Sequence, residues 1–206
     1  MSGAGEVDPD PAIRSDAGAA APGTPAVASE RRRFTVAADA RRLRELKSKR
    51  FPWYVLESLL FENGYQAVVL HRLAHACKRR GIPVLGPLFA RLSLFLTGVD
   101  IAPAAEIGPG LLISHGVGTV IGGYARIGSG ATILHGVTVG GPYPSRRREM
   151  PVVGDGVFLA AGATLIGAIR IGDRVFVGAG ALVTQDVAND SVVIATGGIE
   201  VRRRER

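Results

Sequence analysis

The second half of the chain repeats with a period of six residues. An aliphatic residue returns every sixth position in three registers, interrupted by a short slip near residues 118–120 and an insertion between residues 139 and 153. Helices and ordinary strands repeat at about 3.6 and 2 residues, so neither produces this period. A chain that turns a corner every six residues does, and the sequence predicts a parallel β-solenoid. The aliphatic anchors are Ile101, Ile107, Ile113, Ile121, Ile127, Ile133, Val139, Val153, Leu159, Leu165, Ile171, Val177 and Val183.

Small residues accompany the anchors. The position after most anchors is small, usually glycine, which suits a tight corner. A second small or aliphatic residue lies four positions after each anchor. The pattern predicts that the anchors point inward and the small residues fit the corners. The second set comprises Ala105, Val117, Ala125, Ala131, Val137, Val157, Ala163, Val175 and Ala181.

Three six-residue sides make one triangular coil, and this geometry places two histidines together. Ile113 and Ile133 are three anchors apart, so we expect them on the same side of adjacent coils. His115 and His135 each follow two residues later and should stack about 4.8 Å apart, the spacing of neighbouring strands. The insertion at 140–152 contains two prolines and three arginines, which predicts an excursion from the coil as a loop. Inserted loops in solenoids commonly carry specificity.

The chain divides into four segments. Residues 1–34, rich in Ala, Gly, Pro and Asp, are predicted to be a disordered tail. Residues 35–98 form an α-helical domain, with helices expected over 34–50, 53–61, 65–80 and 83–97. Residues 99–190 form the β-helix, so the fold class is mainly β. Residues 191–206 are expected to add a C-terminal strand and a basic tail.

Charge and cysteine content restrict the partners. The net charge of +7 is concentrated in short basic blocks, which we interpret as solvated tails and a loop, since no nucleic-acid-binding module surrounds them. Nucleic acid is therefore not an expected partner. The single cysteine, Cys77, excludes an internal disulfide and has no paired ligand spacing, so we expect a cytoplasmic protein without a metal site. The apolar stretch at 82–99 is short for a membrane span.

The strongest catalytic candidate is a pair formed by Asp100 and His115. His115 lies directly before the slip in the repeat, where an irregular coil opens space for a ligand. A carboxylate that accepts a hydrogen bond from one imidazole nitrogen fixes the tautomer and leaves the other nitrogen as a general base. The alternative is that Asp100 is a turn residue at the domain junction and His115 a structural histidine.

These residues carry a resemblance to a known family. The hexapeptide repeat resembles the hexapeptide acyltransferases, and the smaller motifs resemble the serine acetyltransferase branch across about residues 53–190. The motifs are Gly64-Tyr65-Gln66-Ala67, His71-Arg72-Leu73-Ala74-His75, Thr97-Gly98-Val99-Asp100-Ile101, His115-Gly116 with Gly118 and Val120-Ile121-Gly122, and Leu134-His135-Gly136-Val137-Thr138-Val139-Gly140-Gly141.

The resemblance implies a fold, an activity and an assembly. It implies a left-handed β-helix that trimerises, with hexamers formed through the helices, and acetyl transfer from acetyl-CoA to a hydroxyl without a metal. Asp100 and His115 match the family's catalytic pair. The coenzyme A cleft would be lined by Gly140, Gly141, Ala161 and Gly178.

Departures from the family pattern lie in the half of the site that would hold the acceptor. Ser114 replaces an aspartate before the catalytic histidine, and Glu149-Met150 replace Arg-His at the end of the insertion. Serine remains the default acceptor, with a sugar or other hydroxyl as the alternative, and a non-catalytic solenoid scaffold as the rival from another class. The family's terminal isoleucine, which docks on cysteine synthase, is absent, which argues against that complex. The acceptor-binding candidates are Ser114, His135, Arg146, Arg147, Arg148, Glu149 and Met150.

Overall fold

The computed structural model describes residues 36–47, 57–58, 60–143 and 148–195. The tail predicted at 1–34 and the basic end at 196–206 lie outside these ranges. Within them, three α-helices precede the solenoid: α1 (Val36–Lys47), α2 (Asn63–Arg79) and α3 (Leu85–Thr97). The helix expected at 53–61 lies partly outside the described residues, and those described at 57–58 and 60–61 are helical.

Glycine and proline set the limits of the helices as the sequence indicates. Gly98 ends α3 in a left-handed conformation (φ 70°), and its N–H donates to the Leu94 carbonyl at 3.0 Å. Pro87 lies in the first turn of α3, where a missing N–H costs no helical hydrogen bond. No helix in the described ranges is long and apolar enough to cross a membrane.

The solenoid consists of short parallel strands in three sheets. The first sheet has the order β1-β4-β7-β10-β13, the second β11-β8-β5-β2 and the third β14-β12-β9-β6-β3. From β1 to β13, each strand pairs with the strand three positions along the chain, which confirms the predicted triangular coil, and β14 pairs with β12. The strands are β1 Asp100–Ile101, β2 Glu106–Ile107, β3 Leu112–Ile113, β4 Val120–Ile121, β5 Arg126–Ile127, β6 Thr132–Ile133, β7 Thr138–Gly140, β8 Val152–Val153, β9 Phe158–Leu159, β10 Thr164–Ile166, β11 Arg170–Ile171, β12 Phe176–Val177, β13 Leu182–Val183 and β14 Val192–Val193.

The six-residue anchors form the core. All thirteen are at most 5% exposed, as the period predicts. Burying one aliphatic side chain of this size contributes about 1.5–3 kcal/mol, so the repeat supplies the main stabilising term of the solenoid. β14 pairs with β12 and continues the third sheet, so the strand expected after residue 190 is part of the same stack.

One assignment from the repeat is wrong. Val117 was expected to fit a corner, but it is 61% exposed, and Thr119 is fully buried in its place. The pairing of Asp100 with Val120 explains the exchange, because it aligns Thr119 with the buried Val99 one coil earlier. The extra residues of this coil therefore lie before Thr119, in the corner that contains His115.

The helices pack on the first coils. Gly86 of α3 faces the Ala74 carbonyl of α2, where an added Cβ would lie 3.2 Å from the oxygen. From α1, the Arg42 guanidinium donates to the Gly110 carbonyl at 3.2 Å and to the Thr132 hydroxyl at 3.0 Å. These contacts fix the helices against the end of the solenoid that carries the candidate site.

Candidate functional site

The three sheets of the solenoid meet at three edges, and the candidate residues lie on two of them. The edge between the third and first sheets carries His115 and His135, and we call it the histidine edge (residues 114–119, 134–137, 160–163 and 178–181). The edge between the first and second sheets carries the insertion, and we call it the loop edge (residues 122–125, 140–151 and 166–169).

His115 has an unusual backbone. It is exposed and its φ is 55°, in the left-handed region that costs a residue with a Cβ about 1–2 kcal/mol. Only Arg174 and Asp190 share a positive φ among the described non-glycine residues. Backbone strain of this kind concentrates at functional sites because the surrounding structure must hold it in place. In the other corners of the histidine edge, the described residues with a positive φ are glycines.

Asp100 begins β1, one coil before the His115 corner and at the same edge. Its N–H donates to the Thr119 carbonyl at 2.9 Å, and its carboxylate is half-buried. The two coils are tied here by the Gly118 N–H, which donates to the Gly98 carbonyl at 2.9 Å. The structure brings Asp100 and His115 to one edge, although no hydrogen bond joins their side chains within the described residues.

The predicted stacking of the two histidines is wrong. β3 and β6 pair in parallel with Ile113 opposite Ile133, but after these strands the register changes, because Val120 pairs with Thr138. The Gly136 N–H donates to the Val117 carbonyl at 3.0 Å, so Val117 is aligned with His135, and His115 belongs to the extra residues of its corner. The Ser114 N–H donates to the Ile133 carbonyl at 2.9 Å, which holds the residue before His115 in the ladder. Both imidazoles are exposed on the same edge, and an imidazole can donate or accept a hydrogen bond.

Gly64 brings α2 directly against the strand that leads to His115. A Cβ added to Gly64 would overlap the Ile113 carbonyl oxygen. Only glycine permits this approach of helix to strand. In the sequence Gly64 stands out only as part of a motif, because its packing role depends on a contact between residues distant in the chain.

Two of the coenzyme A candidates lie further along the histidine edge. Ala161 is half-buried and its carbonyl accepts the Gly180 N–H at 2.9 Å. Gly178 is buried, and its N–H donates to the Val193 carbonyl of β14 at 2.7 Å. The Gly178 N–H is therefore already used within the chain, whereas Ala161 lies at the accessible part of the edge.

The remaining candidates lie on the loop edge. Gly140 ends β7 and Gly141 follows it, both half-buried. Arg148 lies over the Tyr124 ring, 6.0 Å from its centroid, at the margin of a cation–π contact. Met150 packs on Gly122, where an added Cβ would lie 2.8 Å from the methionine sulfur and terminal methyl. Glu149 is half-buried beside it, while Arg146 and Arg147 lie outside the described residues.

Among the described residues, the candidates of a single chain therefore do not meet in one pocket. The histidines follow strands of the third sheet, whereas the insertion follows β7 of the first sheet. The sequence already implies this separation. Ile133, which precedes His135, and Val139, which precedes the insertion, are consecutive anchors and therefore lie on different sides of the coil. Among the described residues, no group of three or more His, Cys, Asp or Glu side chains is placed to hold a metal ion.

The helical histidines belong to the packing of α2. Burial, with smaller contributions from Arg72 and His75, lowers the pKa of His71 to about 3, so its imidazole is neutral in the folded protein at physiological pH. Its Nδ1 is buried and has no hydrogen-bond partner within the described part of the chain. The His75 ring contacts the Pro103 carbonyl through Nδ1 at 3.0 Å, which links α2 to the first coil.

Comparisons with known proteins agree with this architecture. The profile described as bacterial transferase hexapeptide (six repeats) matches residues 150–185. A serine acetyltransferase from Helicobacter pylori is 40% identical over 154 residues, which cover 75% of this chain and 88% of the relative. The chain belongs to the serine acetyltransferase family. Its solenoid is the left-handed parallel β-helix of that family.

Further members have the same fold but differ in length. A serine acetyltransferase from Synechococcus elongatus is 41% identical over 148 residues, which cover 72% of this chain but only 61% of the relative. The crystal structure of the Neisseria gonorrhoeae family member in complex with serine superposes with a TM-score of 0.70 at 35% identity, covering 78% of this chain and 65% of that one. The shared region contains the candidate site, while the longer relatives extend beyond it.

Proposed function

We propose that the chain is an acetyl-CoA-dependent serine O-acetyltransferase with His115 as its general base. The observation that carries the proposal is the exposed, left-handed His115 at the histidine edge, with Asp100 at the same edge one coil earlier. Membership of a family named for this reaction supports the assignment. A retained Asp100 and His115 also argue against the scaffold alternative.

Acetyl transfer to a hydroxyl needs a base that accepts the hydroxyl proton and a thioester that donates the acetyl group. The His115 imidazole takes the proton from the acceptor hydroxyl as its oxygen attacks the acetyl carbonyl of acetyl-CoA. The tetrahedral intermediate collapses by breaking the carbon–sulfur bond, and the protonated His115 returns the proton to the departing coenzyme A thiolate, which gives the free thiol and the neutral base. Asp100 stabilises the imidazolium electrostatically. No metal takes part in this scheme.

Serine is the proposed acceptor, bound between the histidine edge and the arginine-containing loop edge. A carboxylate needs cationic or N–H donors and an ammonium needs an anionic partner, or both groups lose hydrogen bonds on binding. Arg148, with Arg146 and Arg147, would supply the cations, and Glu149 would supply the anion. Ser114 and His135 border the attacking hydroxyl in this arrangement, and Met150 shapes the floor of the loop edge.

We also propose that the protein is a homotrimer, because its candidate residues occupy two edges that one chain cannot bring together. In a closed ring the loop edge of one copy can face the histidine edge of the next. The helices support association as well, since α3 exposes five large apolar side chains, and exposed apolar patches commonly mark interaction surfaces. The five side chains are Leu85, Leu88, Leu92, Phe95 and Leu96. Pairing of trimers into hexamers through the helices is an extension of the same proposal.

The cell compartment follows from the proposed substrate. Acetyl-CoA as co-substrate, together with a single free cysteine, Cys77, supports a cytoplasmic location.

Release of free thiol from acetyl-CoA by the purified protein tests the acceptor. L-serine should support turnover, whereas homoserine and sugar nucleotides should support little. Turnover with a sugar but not with L-serine would overturn the serine assignment and retain the acetyltransferase. If no acceptor supports thiol release, the alternative of a non-catalytic scaffold is favoured. Light scattering should give a mass three times the 21.5 kDa of one chain, and a monomer would contradict the trimer.

A further inference from the structure

Thr119 is a polar residue in an apolar column. The parallel register of the first sheet aligns it with residues that immediately precede the other strands of that sheet. All five positions are at most 1% exposed, and the other four are Val or Ala: Val99, Val137, Ala163 and Ala181. A hydroxyl at such a position costs about 1–3 kcal/mol unless it finds a hydrogen-bond partner.

The Thr119 hydroxyl finds its hydrogen-bond partner in the corner that carries His135. The Thr119 hydroxyl donates to the Leu134 carbonyl at 3.0 Å, one residue before the histidine. In the next two coils the equivalent carbonyls, at residues 160 and 178, instead accept the backbone N–H groups of Ala163 and Ala181 at 3.1 and 3.2 Å. At the His135 corner, a side chain from the preceding coil thus takes the role that a local turn bond has elsewhere.

The backbone of Thr119 reaches the other two parts of the candidate site. Its carbonyl accepts the Asp100 N–H at 2.9 Å, and its N–H donates to the Gly116 carbonyl at 3.0 Å. Gly116 directly follows the strained His115. One fully buried residue is therefore bonded to the segments that hold Asp100, His115 and His135.

We propose that Thr119 is a positioning residue, whose hydroxyl sets the His135 corner against the His115 corner for acetyl transfer. This inference rests on the proposed function. Space filling alone does not account for a threonine, because valine has nearly the same shape and would suit the apolar column without a hydroxyl to satisfy. The coil needs an extra restraint here because its corner is longer than the others and contains a left-handed histidine.

Variants at position 119 separate the effect of losing the threonine hydroxyl from the effect of changing the side-chain volume. Thr119→Val keeps the shape and removes the donor, while Thr119→Ser and Thr119→Ala differ from each other only in the hydroxyl. Because small misplacements of reacting groups cost large factors in rate, we expect Thr119→Val and Thr119→Ala to lower kcat about tenfold, with the KM for acetyl-CoA within about twofold. Thr119→Ser should keep kcat within about threefold of the parent protein.

Thr164→Val is the matched control. The Thr164 hydroxyl lies 3.4 Å from the Gly162 carbonyl, in the coil after the His135 corner, so its removal tests the loss of a threonine-to-carbonyl contact that does not join the His115 and His135 corners. We expect the control to leave kcat unchanged. Equal kcat values for Thr119→Ser and Thr119→Ala, or a Thr119→Val variant within about twofold of the parent protein, would overturn the positioning role.

Histidine-selective NMR keeps this test independent of the proposed function. In ¹⁵N-histidine spectra of the full chain, we expect the His115 and His135 signals to move in Thr119→Ala but not in Thr119→Ser or Thr164→Val. If the parent protein releases no thiol with any acceptor, the proposed function fails, and these spectra still decide whether the hydroxyl positions the edge. Identical His115 and His135 signals in Thr119→Ser and Thr119→Ala would overturn it.

Discussion

The Arg72 guanidinium and the Asp39 carboxylate form a buried two-point ion pair between α2 and α1. The Nε–Oδ2 distance is 3.0 Å and the Nη2–Oδ1 distance is 3.2 Å, with side chains 4% and 0% exposed. Each partner also bonds to the first coil. Arg72 donates to the carbonyls of Ile107 and Gly108, and Asp39 accepts the N–H groups of Gly110 and Leu111. The pair therefore joins both helices to the solenoid.

Removing one partner should be costly. Asp39→Ala leaves the Arg72 charge buried without its counter-ion, and we expect the free energy of unfolding to fall by about 3–5 kcal/mol in urea titrations. The exposed pair Glu106–Arg126, at 3.3 Å with side chains 64% and 63% exposed, is the control. Glu106→Gln should cost less than about 1 kcal/mol. Similar losses in the two variants would show that the buried pair does not join the helices to the solenoid.

The neutral His71 predicts acid sensitivity of the fold. The pKa of His71 is lowered from 6.5 to about 3, chiefly by burial, so below pH 6.5 the unfolded chain binds a proton that the folded protein does not. This contribution to stability is complete above pH 6.5 and is lost progressively as the pH falls towards 3. Between pH 8 and pH 5 the expected loss from this residue is about 2 kcal/mol. Burial also lowers the pKa of His75, so this residue likewise makes the folded protein less stable as the pH falls.

Urea titrations at several pH values measure this dependence. His71→Leu should make the free energy of unfolding less dependent on pH between 5 and 8, because the imidazole that the unfolded chain protonates is gone. An unchanged slope in His71→Leu would contradict the assignment of this acid sensitivity to the buried ring.

Gly64→Ala should disturb the site through packing alone. The new methyl group would overlap the Ile113 carbonyl oxygen, so α2 must move away from the strand that leads to His115. We expect a loss of about 1–3 kcal/mol in stability, as overpacking of a tight contact produces, together with reduced acetyl transfer. At Gly123 the same change meets only ordinary contacts, with the Ala102 and Ala104 methyl groups at 3.5 and 3.7 Å. Equal melting temperatures for the two variants would rule out the close approach at Gly64.

The repeat predicted the solenoid because each anchor depends only on its place in a local period. The same count correctly aligned Ile113 with Ile133, as the pairing of β3 with β6 shows, but it also stacked His115 on His135, whereas the structure aligns His135 with Val117. Thr119 was missed for a related reason. Two extra residues can be inserted at several places in a corner without changing the later anchors, and only the pairing of Asp100 with Val120 fixes where they lie.

Contacts between distant segments were beyond the sequence pattern. The partnership of Asp39 with Arg72 joins residues of two helices separated by more than thirty positions, and no local period relates them. The same holds for Gly64 and Ile113. The division of the candidate site between two edges was within reach of the sequence, since the insertion after Val139 and the histidines belong to different sides of the coil.

The most direct test replaces the proposed base without disturbing its backbone. Asparagine tolerates the left-handed conformation observed at His115 but cannot act as a general base at neutral pH. The measurement is the rate of thiol release from acetyl-CoA with saturating L-serine for the parent protein and His115→Asn. Our account predicts that kcat falls by about 10²-fold or more while the melting temperature is retained. A His115→Asn protein that releases thiol at the parent rate would contradict it.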